Sequence, residues 1–198
     1  MTKKTIISIA GKPGSGKSTT GKLLAKQLGY KHESTGDFIR ILAEKRGVTL
    51  EQLTKLAETD PTFDEEFDNH NIEIGKGENI VIDSRLGFHF IPESFKVFLD
   101  IDNMVAAERI LANVKVNQTR KNESQLDFDS IKNIADSITD RLASERLRYK
   151  KMYNIQNHTA PENFDLVIRT DSPEFSEKID AVVEKIQKEY EKWLGIKQ

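Results

Sequence analysis

The octapeptide Gly-Lys-Pro-Gly-Ser-Gly-Lys-Ser at positions 11–18 constrains the fold of this chain more than any other feature. The apolar run 5–10 before it predicts a buried strand, and residues 17–28 after it have the spacing of a helix. Glycines let the backbone approach a bound group closely, and the N–H groups of the turn and helix start point toward an anion. The order strand, glycine turn, helix favours a phosphate-binding loop over a glycine turn without a ligand.

Three side chains are expected to handle phosphate and its metal ion. Lys17 is expected to reach the β- and γ-phosphates of a nucleotide, and the Ser18 hydroxyl to bind Mg²⁺. Asp83 directly follows the apolar run 80–82, at the carboxyl end of a predicted strand, where phosphate-loop proteins place a Mg²⁺-holding carboxylate. The alternative for Asp83 is an ordinary strand-end aspartate in a turn.

The composition fits one α/β domain and excludes several kinds of site. A chain of 198 residues with 37% hydrophobic content can bury a core. The net charge of −2 creates no global attraction to nucleic acid or membranes, so an anion site requires locally clustered arginines. The absence of cysteine excludes disulfides, thiolate metal sites and cysteine nucleophiles, and is compatible with the cytoplasmic location that we expect.

Hydrophobic periodicity predicts an α/β fold of the P-loop NTPase type, with three layers around a parallel five-stranded sheet. Further strands are predicted near 30–34, 80–82, 95–101 and 164–169. Short helices between 38 and 76, one of them begun by the capping box of Thr49 and Gln52, predict a helical insertion. The segment 115–125 is expected to be a mobile loop, followed by a helix to Tyr153. Ser172 and Pro173 are predicted to begin the last helix.

Arginines occur in segments that are expected to reach the rim of the phosphate loop. Arg40 and Arg85 follow predicted strand ends, and a guanidinium can grip a phosphate with two parallel N–H bonds. Arg141, Glu145 and Arg148 are spaced so that they share one helix face. This spacing leaves two alternatives open: arginines held over a cleft, or an ion pair of Glu145 within the helix.

Taken together, these motifs resemble the nucleoside monophosphate kinases, and among them the short, archaeal-type cytidylate kinases. The resemblance is carried by Ser34-Thr-Gly-Asp-Phe-Ile-Arg40, by 42–47, by Asp60-Pro61, by Ser84-Arg-Leu86, by 141–153 and by 164–168. It implies an ATP-dependent kinase that transfers the γ-phosphate of ATP to CMP or dCMP, giving CDP or dCDP and ADP, with Mg²⁺ as cofactor. It also implies a monomer whose partners are these small molecules, with neither nucleic acid nor membrane.

The resemblance further implies a division of the chain and a set of site residues. A single kinase domain would span 1–198, with a monophosphate-binding insertion at about 36–77 and a lid at about 113–150. The ATP site would comprise Gly11, Lys12, Pro13, Gly14, Ser15, Gly16, Lys17, Ser18, Thr19 and Arg109. The monophosphate site would comprise Gly36, Asp37, Arg40, Arg85, Arg141, Glu145 and Arg148, with Glu145 and Arg141 near the ribose. Catalytic charge would come from Lys17, Arg40, Arg85, Arg141 and Arg148, and the metal would lie at Ser18 and Asp83.

Three features depart from the family pattern. Ser84 stands where relatives usually have glycine, and Asn113 stands where many have a second donor-site arginine, a contact that Lys115, Arg120 or Lys121 would have to replace. The lid loop is also longer than usual. Three alternatives remain open on the sequence: another nucleoside monophosphate kinase such as adenylate kinase, a nucleotide-dependent switch, and a kinase for a phosphate-free acceptor with Asp37 as the base.

Overall fold

A parallel five-stranded sheet lies at the centre of the computed structural model, which describes residues 3–49, 52–53, 61–116 and 131–196. Its strands are β1 (Ile6–Gly11), β2 (Lys31–Ser34), β3 (Ile80–Asp83), β4 (Phe95–Asp100) and β5 (Leu166–Arg169). They lie in the order β2-β3-β1-β4-β5, and every pairing is parallel. Because β1 is central, the turn that follows it emerges in the middle of the carboxyl edge, where open α/β sheets bind ligands.

Helices cover both faces of this sheet. They are α1 (Lys17–Leu28), α2 (Thr35–Lys45), α3 (Pro61–Gly75), α4 (Gly87–Phe90), α5 (Asn103–Val116), α6 (Ile131–Tyr153) and α7 (Ile179–Leu194), with a 3₁₀ turn at Pro161–Asn163. Within the described segments, none of these helices has the length and apolarity needed to cross a membrane. The three-layer α/β fold predicted from the sequence is confirmed.

The core is divided between the two faces of the sheet. On one face, Leu24 of α1 and Ile186 of α7 pack with the strand residues Ile7 and Leu99, and all four side chains are fully buried. On the other face, Ile82 packs with side chains of α3 and of the segment after α4. Every residue of β1 is buried, as expected for a central strand between two helical layers.

A third cluster joins α5 to α6, so the long helix α6 is attached to the rest of the fold at more than one point. Ile134 and Ile138 of α6 pack against Ala106 and Ala107 of α5. At the other end of α6, the Tyr153 hydroxyl donates a hydrogen bond of 2.7 Å to the carboxylate of Asp68 on α3. The helix that carries Arg141 and Arg148 is therefore connected to α5 near its N-terminal end and to α3 at its C-terminal end.

The predicted helix starts were correct at one position and wrong at another. The capping box is present, because the Thr49 N–H donates to Gln52 Oε1 at 2.8 Å and the Gln52 N–H donates to Thr49 Oγ1 at 3.1 Å. Most of the short helix predicted after it lies outside the described residues, as do 117–125 of the predicted loop. The last helix begins at Ile179 and not at Ser172, because Glu177 has a left-handed backbone (φ 58°) that no helix interior accepts.

Leu24 provides a test of this packing. Replacing Leu24 by Ala is expected to lower the free energy of unfolding by about 2–5 kcal/mol, because the fully buried side chain leaves a cavity between α1 and the sheet. Leu147, which is 71% exposed, is the matched control, and Leu147→Ala is expected to change that free energy by less than about 0.5 kcal/mol. Urea unfolding followed by circular dichroism measures both values, and equal effects would contradict the assigned core.

Candidate functional site

The turn between β1 and α1 adopts a conformation that its glycines make possible. Gly14 and Gly16 have left-handed backbones, with φ of 77° and 89°. At Gly14 a Cβ would lie 2.8 Å from the carbonyl oxygen of Ala106, so any larger residue would clash with α5. The Ser15 N–H donates to the Lys12 carbonyl at 3.3 Å, which closes the turn. The resulting loop wraps around the N-terminus of α1, where backbone N–H groups favour an anion.

Lys12 anchors this loop to the neighbouring strand β4. Its N–H donates to the Leu99 carbonyl at 3.2 Å, and its Nζ lies 2.8 Å from Asp100 Oδ1. The same Nζ donates to the Ile101 carbonyl at 3.1 Å. Lys12 is therefore used for holding the loop in place, whereas the second lysine of the motif lies on α1. In this structure Lys17 Nζ donates to the Lys12 carbonyl at 3.1 Å.

Ser18 and Asp83 form a pair of oxygen ligands at the junction of α1 and β3. The Ser18 hydroxyl donates to Asp83 Oδ2 at 2.5 Å, and Asp83 is buried. The Asp83 carbonyl accepts a hydrogen bond of 3.1 Å from the Thr35 hydroxyl at the start of α2. A serine oxygen that donates its proton to the carboxylate keeps its lone pairs for a cation, and Mg²⁺ prefers oxygen ligands. The pair therefore fits a magnesium ion bound together with phosphate.

Charges from three segments converge on Lys17. Burial lowers the pKa of Lys17 to about 8; the Asp83 carboxylate opposes this shift, and the Arg85 guanidinium adds to it. Glu145 and Arg141 of α6 also act on this ammonium, in opposite directions. The structure thus brings together Lys17, Asp83, Arg85, Arg141 and Glu145, which the sequence places on separate elements. This grouping is what a site for two anionic phosphates requires.

Glu145 is the carboxylate that holds the arginines of this group together. Its Oε1 lies 3.0 Å from Arg141 Nε and 3.1 Å from Arg85 Nε. Of the two alternatives left open by the helical spacing, the intrahelical ion pair with Arg141 is present, and the same carboxylate also contacts Arg85 at the sheet edge. Burial alone would raise the pKa of Glu145, but the charge of Arg85 and the contacts with His158 and Arg141 outweigh it. They hold this pKa far below its ordinary value, so the carboxylate is ionised.

The other predicted monophosphate residues lie on α2 and further along α6. Arg40 pairs with Asp37 at 2.6 Å, and both side chains are about half exposed. Gly36 lies in the first turn of α2, where a Cβ would lie 3.7 Å from Arg40 Nη1. Arg148 is half-buried on α6, one turn beyond Glu145. The structure therefore places Arg40 in an ion pair on α2 and keeps Arg85 and Arg141 at the sheet edge.

A cavity of about 440 Å³ opens beside the phosphate loop, between α5, α7 and the segment before α7. Arg109 lies on its wall, with its guanidinium donating to the Thr170 carbonyl at 2.9 Å and to the Thr170 hydroxyl at 3.1 Å. Asn113, at the departure from the family pattern, turns back and donates to the Arg109 carbonyl at 3.0 Å. The size and position of this cavity fit the nucleoside part of a nucleotide whose phosphates lie on Gly14–Thr19.

Several residues of the site were missed by sequence reasoning. Thr170, Phe175 and Ile179 line the cavity, but the wrong prediction of a helix from Ser172 concealed the turns that place them there. His158 packs behind Glu145 and had no spacing signal of any kind. Of the proposed substitutes for the missing arginine, Arg120 and Lys121 lie outside the described residues, as does the side chain of Lys115.

Ser84, another departure from the family pattern, connects the sheet edge with α3. Its hydroxyl donates to Asn71 Oδ1 of α3 at 3.1 Å, and both residues are fully buried. Asn71 Nδ2 in turn donates to the Phe67 carbonyl at 2.8 Å. The serine therefore satisfies a buried amide that a glycine would leave without this partner.

Comparison with known proteins gives a consistent set of relatives. The family model described as an AAA domain matches residues 7–128. A cytidylate kinase of Methanobrevibacter smithii is 32% identical over 88% of this chain and 95% of its own length, and one of Methanococcoides burtonii is 35% identical over 82% and 86%. An S-adenosylmethionine-dependent nucleotide dehydratase of Lacinutrix mariniflava is 37% identical over 93% of this chain, which spans only 36% of that protein.

Solved structures with a similar fold are more distant in sequence. The shikimate kinase of Bacteroides thetaiotaomicron matches 94% of this chain and 98% of its own length with a TM-score of 0.66, at 20% identity. The shikimate kinase of Acinetobacter baumannii matches 98% of this chain and 95% of its own with a TM-score of 0.60, at 18% identity. At these identities the likeness establishes the fold alone.

The lowered pKa of Lys17 predicts proton uptake when a polyphosphate binds. At pH 8.5 much of Lys17 is neutral in the free protein, and a bound anion raises its pKa again, so we expect uptake of about half a proton or more. Titration calorimetry with ATP, whose phosphates are already fully ionised at that pH, in two buffers of different ionisation enthalpy measures this uptake. Lys17→Met is expected to abolish it, and identical heats in both buffers for the unmodified protein would contradict the assignment.

Proposed function

Because the chain belongs to the family of P-loop proteins formed by the archaeal cytidylate kinases, we propose that it is an ATP-dependent cytidylate kinase. It transfers the γ-phosphoryl group of ATP to CMP or dCMP and yields CDP or dCDP and ADP. The observation that supports this most is the second group of cations beside the phosphate loop. Arg85 and Arg141 lie next to Lys17, where a phosphate acceptor needs its negative charge balanced.

The acceptor in this reaction needs no general base, because a monophosphate oxygen is already largely ionised near pH 7. What the site has to supply is alignment of two anionic groups and compensation of their repulsion. Lys17 and the N-terminus of α1 face the donor phosphates, whereas Arg85 and Arg141 face the phosphate of the acceptor. Arg40, Arg148 and Gly36 would complete the acceptor site, with Asp37 orienting Arg40 through their ion pair.

Magnesium is the cofactor that fits the oxygen ligands on the chain. Ser18 Oγ and the Asp83 carboxylate would hold the ion at the junction of α1 and β3. When bound, the ion would supply additional positive charge to the donor phosphates. The donor nucleoside would lie in the cavity beside Arg109 and Thr170.

The similarity to a nucleotide dehydratase concerns which reaction consumes the nucleotide that the proposed kinase forms. The matched region is 36% of that protein, and the chain has no cysteine, so we assign it no dehydration chemistry of its own. We propose instead that the shared region is a phosphorylating module, whose nucleotide product is consumed by a nucleotide-modifying reaction. Accordingly, the isolated chain is expected to leave S-adenosylmethionine unchanged.

A substrate panel tests the proposed activity. With Mg²⁺ and ATP, ADP formation is followed with CMP, dCMP, UMP, AMP, GMP and the phosphate-free acceptor cytidine. We expect kcat/KM for CMP and dCMP to exceed the value for AMP and GMP at least about tenfold. A preference for AMP would identify an adenylate kinase, turnover of cytidine would favour a phosphate-free acceptor, and unchanged ADP release without any acceptor would favour a nucleotide-dependent switch.

Substitution of Lys17 separates catalysis from folding in the same assay. Lys17→Met is expected to reduce kcat for CMP by about 10²–10³, because the charge that compensates the transferred phosphoryl group is lost. Thermal unfolding of this variant is expected to match that of the unmodified protein or to occur at a higher temperature, since the lowered pKa of Lys17 shows that its surroundings disfavour the charged form. Normal turnover by a folded Lys17→Met variant would refute the assigned role.

A further inference from the structure

One carboxylate, that of Glu145, contacts side chains from three different segments. Oε1 lies 3.0 Å from Arg141 Nε on the same helix and 3.1 Å from Arg85 Nε after β3. Oε2 lies 3.5 Å from Nε2 of His158, which belongs to the segment between α6 and β5. Because the Glu145 side chain is only 15% exposed, little water competes for these contacts. The contact with Arg141 is a hydrogen bond, whereas the contact with Arg85 is an ion pair without hydrogen-bond geometry. The carboxylate therefore draws both arginines toward one point.

The contacted atom of each arginine determines what remains for a ligand. In Arg85 and Arg141 it is Nε, on the edge of the guanidinium, so this carboxylate does not occupy the two terminal nitrogens. Those terminal nitrogens form the fork that grips a phosphate. The two guanidinium groups carry like charges that act unfavourably on each other, and the carboxylate between them offsets this repulsion. A single, mostly buried carboxylate thus holds both guanidinium groups close together without occupying their terminal nitrogens.

His158 is placed to fix the orientation of Glu145. The histidine is 4% exposed, and its ring meets the ring of Tyr149 edge-on at 5.0 Å. Asn157 fixes the backbone on either side, accepting from the Thr159 N–H at 3.2 Å and from Asn163 Nδ2 at 2.8 Å. Within the described part of the chain, neither ring nitrogen makes a hydrogen bond of normal geometry. Since a buried imidazole without a partner is costly, the nearby Glu145 oxygen is its natural acceptor.

We propose that Glu145 and His158 are a pair of positioning residues for the acceptor phosphate. Glu145 orients Arg85 and Arg141 toward that phosphate, and His158 orients Glu145. This inference rests on the proposed function and changes one part of it, because the family resemblance implied that Glu145 lies near the ribose. In the new assignment Glu145 acts on the phosphate through the arginines and makes no contact with the sugar.

Glu145→Gln tests the first half of the proposal. The amide keeps the size of the side chain but loses the charge that holds the arginines, so we expect KM for CMP to rise about 10- to 100-fold. KM for ATP is expected to change less than about threefold, since Glu145 makes no hydrogen bond or ion pair with the phosphate loop among the described residues and is only a minor influence on Lys17. Calorimetric binding of CMP without a donor gives the same comparison independently of turnover. An unchanged affinity for CMP in the folded variant would overturn the proposal.

The sugar of the acceptor distinguishes positioning from direct contact. If Glu145 acts only through the arginines, Glu145→Gln weakens CMP and dCMP by the same factor, because both carry the same phosphate. A loss confined to CMP would show that Glu145 binds the 2′-hydroxyl, and this result would overturn the assignment.

Variants of His158 test the second half. His158→Phe keeps a ring against Tyr149 but removes both ring nitrogens, and KM for CMP is expected to rise about 2- to 10-fold, as for one lost hydrogen bond. His158→Gln restores a donor and is expected to recover most of this loss. The double variant with Glu145→Gln is expected to be no worse than Glu145→Gln alone, since His158 acts through Glu145. Losses that add up in the double variant, or a loss in kcat without a loss in affinity for CMP, would contradict the proposal that His158 acts through Glu145.

The chain provides a matched control in Glu189 of α7. This carboxylate also holds two cations, Lys185 at 3.3 Å and Lys192 at 2.9 Å, but it lies in the C-terminal half of α7, beyond the residues of that helix that line the cavity. Glu189→Gln is expected to leave every kinetic constant unchanged. If the unmodified protein neither binds nor phosphorylates any monophosphate, the proposed function fails; if it does so and Glu145→Gln matches it, only the present inference fails.

Discussion

The structure of this site depends on bringing like charges together before any substrate arrives. Lys17, Arg85 and Arg141 lie within interaction distance of each other, and their repulsion is offset by the carboxylates Asp83 and Glu145. The two carboxylates have different neighbours: Asp83 lies beside the phosphate loop, and Glu145 lies among the arginines. One positive charge remains in excess, which leaves the site attractive to phosphates without requiring the cations to move from solvent. Preorganisation of this kind lowers the cost of reorganisation during the reaction.

Residues at the carboxyl end of β3 contact several of the helices that surround the site. Asp83 contacts Ser18 of α1 and Thr35 of α2, Ser84 contacts Asn71 of α3, and Arg85 contacts Glu145 of α6. Three consecutive residues thus reach four helices. Because most of these contacts are short and buried, the positions of the four helices depend on this one strand end.

The fold could be predicted from the sequence largely because its signals are local. The glycine motif, the apolar runs and the capping box of Thr49 and Gln52 each specify their own neighbourhood, and the observed strands and helices follow them. The site was less predictable, because its contacts join residues far apart in the chain. The helical spacing of Arg141 and Glu145 indicated one ion pair but carried no information on Arg85, and His158 had no local pattern at all. The start of α7 was mispredicted because the left-handed residue there, Glu177, is not a glycine.

The hydrogen bond between Tyr153 and Asp68 has a mechanical consequence for α6. The N-terminal part of α6 is packed on α5 and its C-terminal end is held by α3, so this helix of 23 residues can tilt about Tyr153 only if α5 moves with it. At about 1.5 Å per residue, Arg141 is about 18 Å from Tyr153, so a joint tilt of only about 10° would displace it by about 3 Å. Such a displacement would carry Glu145 away from Arg85 as well. A tilt that opened the cleft would therefore also separate its cations.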